Sequence, residues 1–280
     1  MLFEAHDGTQ IFFTDSGTGK PLVLIHGWPL SSAMWEYQVN ELAERGIRCV
    51  AYDRRGFGRS DQPYSGYDYD TLASDLKALI EHLKLQDVTL AGFSMGGGEV
   101  ARYMRKFRGS NVSRTVFISS VTPFLLKTAD NPDGVEAGVS EQMAIDLRVD
   151  RPAFLTEFAK TFFGVGWMTS PISDAMLAAN CEDAMRGSPR ATLACAKAFF
   201  ETDFRDDLPS ISVPALVIHG DSDQTVPIDA SARRTAQLIK SAQLKIYEGA
   251  PHGLFYTERA RLNADLEEFV LGASVSRTAA

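Results

Sequence analysis

Short apolar runs recur along this chain, most of them leading into a turn or loop and then a stretch with helical spacing. The clearest are Leu22-Val23-Leu24-Ile25, Arg48-Cys49-Val50-Ala51-Tyr52, Val88 to Phe93, Thr115-Val116-Phe117-Ile118, Ala215-Leu216-Val217-Ile218 and Leu244-Lys245-Ile246-Tyr247. Runs that scarcely alternate apolar with polar read as strands covered on both faces. Residues 11–15 add an earlier strand. Residues 34–45, 69–83, 99–107 and 257–271 carry helical periodicity; in the second, Leu72, Leu76, Leu79, Ile80 and Leu83 share one face. Strands alternating with helices predict an α/β protein with a largely parallel sheet between two helical layers.

The alternation stops after Val121. Between Pro123 and Ser212 no strong strand is legible, and helical segments are expected at 140–150, 152–163, 173–184 and 188–202. This divides the chain into a core of 1–122 plus 213–272, an inserted helical cap of 123–212, and a tail of 273–280 with little to pack. Ligands of open α/β sheets bind at the carboxyl ends of the strands, so a helical insertion at that edge would cover a site there. The insertion is rich in bulky apolar residues: Phe124, Leu125, Phe154, Phe158, Phe162, Phe163, Trp167 and Phe199. About two-thirds of these are expected to pack only the cap itself. The remainder would line an apolar pocket.

The chain is 45% hydrophobic and 23% charged over 280 residues, enough for a sizeable core. Its net charge of −8 argues against nucleic acid or an anionic membrane as the main partner. Three cysteines (Cys49, Cys181, Cys195) show no metal-ligand spacing and read as reduced thiols of a cytoplasmic protein. No apolar run is long enough to span a membrane, and the first residues lack a signal-peptide pattern. No metal or cofactor is expected. Gly56-x-Gly58 follows a strand, but position 61 is Asp61 where a dinucleotide fingerprint has its third glycine. Asp53 and Arg55 are therefore expected to make structural contacts.

Chemistry is concentrated in Gly92-Phe93-Ser94-Met95-Gly96, between an apolar run and a helical one. Gly-x-Ser-x-Gly in that setting is a nucleophile-elbow pattern. The two glycines allow strand and helix to approach, and the turn lifts the serine hydroxyl beside a helix N-terminus that favours negative charge. A serine nucleophile needs a base, and the base needs an acid to orient it. Of five histidines, His252 in Gly249-Ala250-Pro251-His252-Gly253 follows the last strand in a short loop with no core role. His26 and His219 end strands near the same edge; His6 and His82 lie elsewhere. For the acid, Asp221 and Asp223 both follow the Ala215–His219 run, and the pattern does not separate them. The order Ser94, Asp, His252 is that of the α/β-hydrolases.

Taken with His26-Gly27-Trp28-Pro29, the 53–60 loop and His219-Gly220-Asp221-Ser222-Asp223-Gln224-Thr225-Val226-Pro227, these motifs are specific. The chain resembles the α/β-hydrolase serine esterases, in the group of cofactor-free, non-haem chloroperoxidases and bacterial aryl esterases. The resemblance implies an eight-stranded, mostly parallel sheet flanked by helices, with the cap between strands 6 and 7. It selects Asp223, the second aspartate of its loop, as the acid. It implies an oxyanion hole from the backbone N–H groups of Trp28 and Met95, with Pro29 restraining Trp28. Trp28, Phe93, Phe158, Phe162 and Val226 are expected to touch substrate. The implied activity is hydrolysis of small carboxylic esters, with hydrogen peroxide as an alternative co-substrate in perhydrolysis. A lactonase or γ-lactamase would use the same triad, and a non-catalytic small-ligand binder is the reading of another class. A homo-oligomer is compatible with the sequence. An epoxide hydrolase or dehalogenase would need an aspartate where Ser94 stands.

Overall fold

The computed structural model describes residues 1–166 and 170–272; Trp167 and the 273–280 tail, for which expectations were given above, lie outside the described residues. Among them eight strands form one sheet: β1 (Leu2–Glu4), β2 (Gln10–Ser16), β3 (Lys20–Ile25), β4 (Ile47–Tyr52), β5 (Val88–Phe93), β6 (Val112–Ile118), β7 (Ala215–Gly220) and β8 (Ala242–Tyr247). Their order is β1-β2-β4-β3-β5-β6-β7-β8. β1 and β2 pair antiparallel, as do β2 and β4; every later pairing is parallel. Every residue of β5 and β7 is buried. That is why those runs carry no polar alternation: helices cover both faces.

The connecting helices are α1 (Glu36–Glu44), α2 (Tyr69–His82) and α3 (Met95–Lys106), then α4 (Ala137–Val149), α5 (Arg151–Phe163), α6 (Asp174–Met185) and α7 (Pro189–Glu201), and finally α8 (Ala232–Leu238), α9 (Leu254–Thr257) and α10 (Arg259–Leu271). Local chemistry sets several starts. Asp68, Asp150, Ser173 and Ser188 each accept from a backbone N–H three residues on, at 2.9–3.1 Å. Proline occupies the first turn of α5 and α7.

Four differences from the sequence reading have physical causes. α3 begins at Met95, not near residue 99. Its glycine triplet is a poor helix former, but a side chain would prevent packing: a Cβ on Gly96 would lie 2.6 Å from the carbonyl oxygen of Ile25. β1 has only three residues, too few for a pattern, and exists by pairing Phe3 with Ile11 on β2. α8 is short and lies beyond the aspartate loop. The last helix is divided at Glu258 into α9 and α10.

Helices α4 to α7 lie between β6 and β7 and pack on the loops that follow the strands. The Trp28 indole Nε1–H donates to the Thr192 carbonyl on α7 at 2.9 Å. Ser31 donates from N and Oγ to Asp183 on α6, at 2.8 and 2.6 Å. Gly253 N–H donates to Phe162 O on α5 at 2.7 Å. The loop after β3 and the loop after β8 are thus fastened to three of the inserted helices, α5, α6 and α7. No helix of the described residues is long and apolar enough to cross a membrane.

Candidate active site

Ser94 joins β5 directly to α3, with φ +53° and ψ −118°. That is a region costly for any residue with a side chain. The turn closes because Gly92 has none: a Cβ there would meet the Gly96 carbonyl oxygen at 2.3 Å. Ser94 N–H donates to Ile118 O at 2.8 Å and Ser94 O accepts from Val121 N–H at 3.2 Å, so the strained residue is held by β6 and the loop after it. Its Oγ faces His252 Nε2 at 3.0 Å.

His252 follows β8 in a loop closed by Ala250 N–H donating to Tyr247 O. Its Nδ1 lies 2.6 Å from Asp223 Oδ2. A carboxylate only accepts, so Nδ1 carries the proton and the Nε2 lone pair faces the serine hydroxyl. Phe93 and Phe162 flank the imidazole, with ring centroids at 4.9 and 4.8 Å. These two were expected to touch substrate. They do not line the cavity. One ends a strand behind the elbow and the other lies on α5 beside His252, so their area is spent on holding the ring.

Asp223 follows β7 and is buried. Its Oδ1 accepts from the N–H groups of Thr225 and Val226, at 2.9 and 2.8 Å. Burial pushes the carboxyl pKa up, but the charge of His252 and hydrogen bonds from His219 and His252 outweigh it and hold the group well below the ordinary carboxylate range. Asp221 is exposed and accepts from Gly249 N–H at 2.7 Å. It braces the histidine loop but does not reach the imidazole, and this separates the two aspartates that the pattern left equal.

Trp28 follows β3 and Met95 opens α3. Neither backbone N–H donates to an acceptor among the described residues. Leu30 N–H donates to Gly27 O at 3.1 Å, which turns the chain around Trp28. His26, Arg54 and Glu99 form a buried frame beneath this loop: Arg54 Nη2 donates to His26 O at 2.7 Å and Arg54 Nε to Glu99 Oε1 at 2.6 Å. Burial, and next the Arg54 charge, hold the His26 pKa well below the usual imidazole value. Asp53 accepts from Ser32 N–H and Arg59 N–H at 2.8 and 2.7 Å, and Arg55 pairs with Asp75 and Asp7. The 53–60 loop is therefore closed by Arg59 on Asp53 and tied to the segments around Asp7, Ser32 and Asp75 by structural contacts.

A cavity of about 610 Å³ opens at Ser94. Trp28, Phe158 and Val226, three of the five residues proposed from the sequence to touch substrate, line it, with Leu125, Phe154 and Phe199. Four of the seven described cap residues named above thus reach the cavity, more than the third expected. The excess has a geometric cause: besides packing on one another, the helices lie over the loops that follow the strands, and apolar side chains on their inner sides face the space at Ser94. His219 is the buried group at this site that sequence reasoning placed nearby without a role. Its signal was its position four residues before Asp223.

The family model described as "alpha/beta hydrolase fold" matches residues 20–259. The chain is 40% identical over 266 residues to a non-heme chloroperoxidase of Kitasatospora aureofaciens, covering 94% of this chain and 97% of that one. It is 38% identical over 267 residues to a bifunctional esterase/perhydrolase of Acinetobacter calcoaceticus, with 94% and 97% covered. The crystal structure of a bromoperoxidase from Bacillus anthracis superposes with a TM-score of 0.93 at 45% identity, covering 97% of this chain and 100% of that one.

Proposed function

The chain belongs to the α/β-hydrolase family, and from that premise we propose that it is a serine esterase that cleaves small carboxylic esters and, given hydrogen peroxide, forms peracids. The observation that carries the reading is the continuous path Ser94 Oγ, His252 Nε2, His252 Nδ1, Asp223 Oδ2, with steps of 3.0 and 2.6 Å across the two contacts between residues. A hydroxyl so placed can lose its proton to the imidazole as it attacks.

Ser94 Oγ adds to the acyl carbon while its proton passes to His252 Nε2. The carbonyl electron pair moves onto oxygen, where the free N–H groups of Trp28 and Met95 and the α3 N-terminus stabilise it. Collapse breaks the carbonyl carbon–alkoxy bond, and the leaving oxygen takes the proton from His252. Water then adds to the acyl-serine, giving up a proton to His252. The second collapse returns that proton to Ser94 and releases the acid. Hydrogen peroxide in place of water releases a peracid. In solution the peracid transfers its terminal oxygen to a halide, yielding hypohalous acid and the carboxylate. Asp223 stays ionised throughout and stabilises the imidazolium. Both relatives described above support this pair of outcomes. The mostly apolar cavity supports a neutral acyl or aryl group.

Ser94→Ala tests the reading. We expect the variant to fold and to lose about 10⁴- to 10⁶-fold in p-nitrophenyl ester turnover, together with labelling by a fluorophosphonate probe. Turnover retained by the alanine variant would reject Ser94 as nucleophile. Small lactones and bicyclic lactams in the same panel rank those substrates against simple esters.

A further inference from the structure

His219 ends the buried strand β7 and has no solvent exposure. Its Nε2 lies 2.9 Å from the Val226 carbonyl oxygen and 3.2 Å from Asp223 Oδ2. A carbonyl only accepts, so Nε2 bears the proton and donates it to Val226 O, with Asp223 Oδ2 as a second, longer contact of the same N–H. The other ring nitrogen, Nδ1, is buried with no partner among the described residues. A second proton there would be a buried donor with nothing to accept it, which favours the Nε2–H tautomer.

Asp223 Oδ2 therefore faces two imidazole N–H groups: His252 hydrogen-bonds it at 2.6 Å, and His219, bonded to the Val226 carbonyl, lies 3.2 Å away. Its other oxygen accepts from Thr225 and Val226. Val226 is held from both ends, N–H to the carboxylate and C=O to His219, and its side chain lines the substrate cavity. We propose that His219 is a positioning residue: it fixes the Asp223 carboxylate against His252 and ties the Asp223–Val226 turn to the wall of the substrate pocket. The proposal rests on the Ser94–His252–Asp223 reading above.

The consequence has a direction. A hydrogen bond donated to a carboxylate spreads its negative charge and weakens its hold on a neighbouring cation. Without the His219 donor, Asp223 would attract the imidazolium of His252 more strongly. The acid limb of the kcat/KM profile would then move to higher pH. The groups that face His219 in this contact are Asp223 and, through it, His252; the neighbouring acid on the same loop, Asp221, is turned outward to Gly249. A residue that merely fills space would change stability and leave the limb where it is.

The experiment compares wild type, Ser94→Ala, His219→Leu and His219→Gln with p-nitrophenyl acetate across pH 5 to 9, with a melting temperature for each. Turnover by wild type and its loss in Ser94→Ala keep the triad reading standing, so the His219 variants are judged separately. We expect His219→Leu to lose about 10- to 100-fold in kcat, with KM changed less and the acid limb raised by about half a pH unit. The glutamine side-chain N–H₂ can reach the same acceptors, so His219→Gln should restore most of the lost turnover and return the limb toward wild type. Leucine and glutamine variants equally impaired, with an unmoved limb, would overturn the proposal. Should the leucine variant fail to fold, His219→Gln decides alone: near-native kcat supports the donor role, and a tenfold or greater loss at unchanged melting temperature overturns it.

Discussion

Ser94 is held at φ +53° by hydrogen bonds from both sides of its peptide, and a strain of about 1–3 kcal/mol is typical of such a residue. The strain has a use, because it presents Oγ to His252 without help from a flexible loop. Asp223 shows how charge is managed at the far end of the same path. Its pKa lies below the ordinary carboxylate range, so the stability it contributes is present above the unfolded value, near pH 4, and is lost as pH falls through the lower folded value. At any pH where an imidazole titrates, this carboxylate is ionised. The two aspartates of the loop should therefore part company on mutation. Asp223→Asn puts an amide against an imidazole N–H and should cost about 10⁴-fold in kcat. Asp221→Asn keeps an oxygen for Gly249 and should stay within about threefold, as for an exposed substitution. Equal losses in steady-state assays would leave the acid unassigned.

The elbow itself illustrates where sequence patterns stop. Strand β5 is legible because six buried residues in a row leave no other reading, and α2 because its apolar spacing and Asp68 cap agree. The start of α3 is not legible: three consecutive glycines speak against a helix, and only the close approach of the Ile25 carbonyl to Gly96, of Ser120 to Gly97 and of Tyr69 and Phe204 to Gly98 shows why they are needed. Short β1 and α8 are likewise products of their neighbours. Gly92→Ala tests the packing argument. A methyl group 2.3 Å from the Gly96 carbonyl must push β5 and α3 apart. A loss of about 2–3 kcal/mol in denaturant unfolding, with turnover reduced as Ser94 moves, is expected. An alanine variant as stable and active as wild type would show that the strand–helix contact yields freely.

For the molecule as a whole, the inserted helices and the sheet define the cavity jointly. Trp28 from the β3 edge and Val226 from the β7 edge face Phe154, Phe158 and Phe199 from the insertion. Phe158 lies edge-on to Trp28 at 5.3 Å and is only partly buried. Phe158→Ala should enlarge the pocket and raise kcat/KM for bulky acyl esters about threefold or more relative to acetate esters; an unchanged ratio would place the acyl group elsewhere. The sequence by itself determined the α/β alternation and the helical segments between β6 and β7, and it singled out Ser94 and His252, which the fold brings within 3.0 Å, because buried strands and tight strand-to-helix turns demand residue types that few other settings tolerate. Tertiary structure decided which of the two aspartates left open by the residue pattern meets His252, that Phe93 and Phe162 pack on the imidazole instead of lining the pocket, and that His219 lies against Asp223. Those are matters of distance between segments far apart in the chain or of side-chain direction within one loop, and local spacing encodes neither.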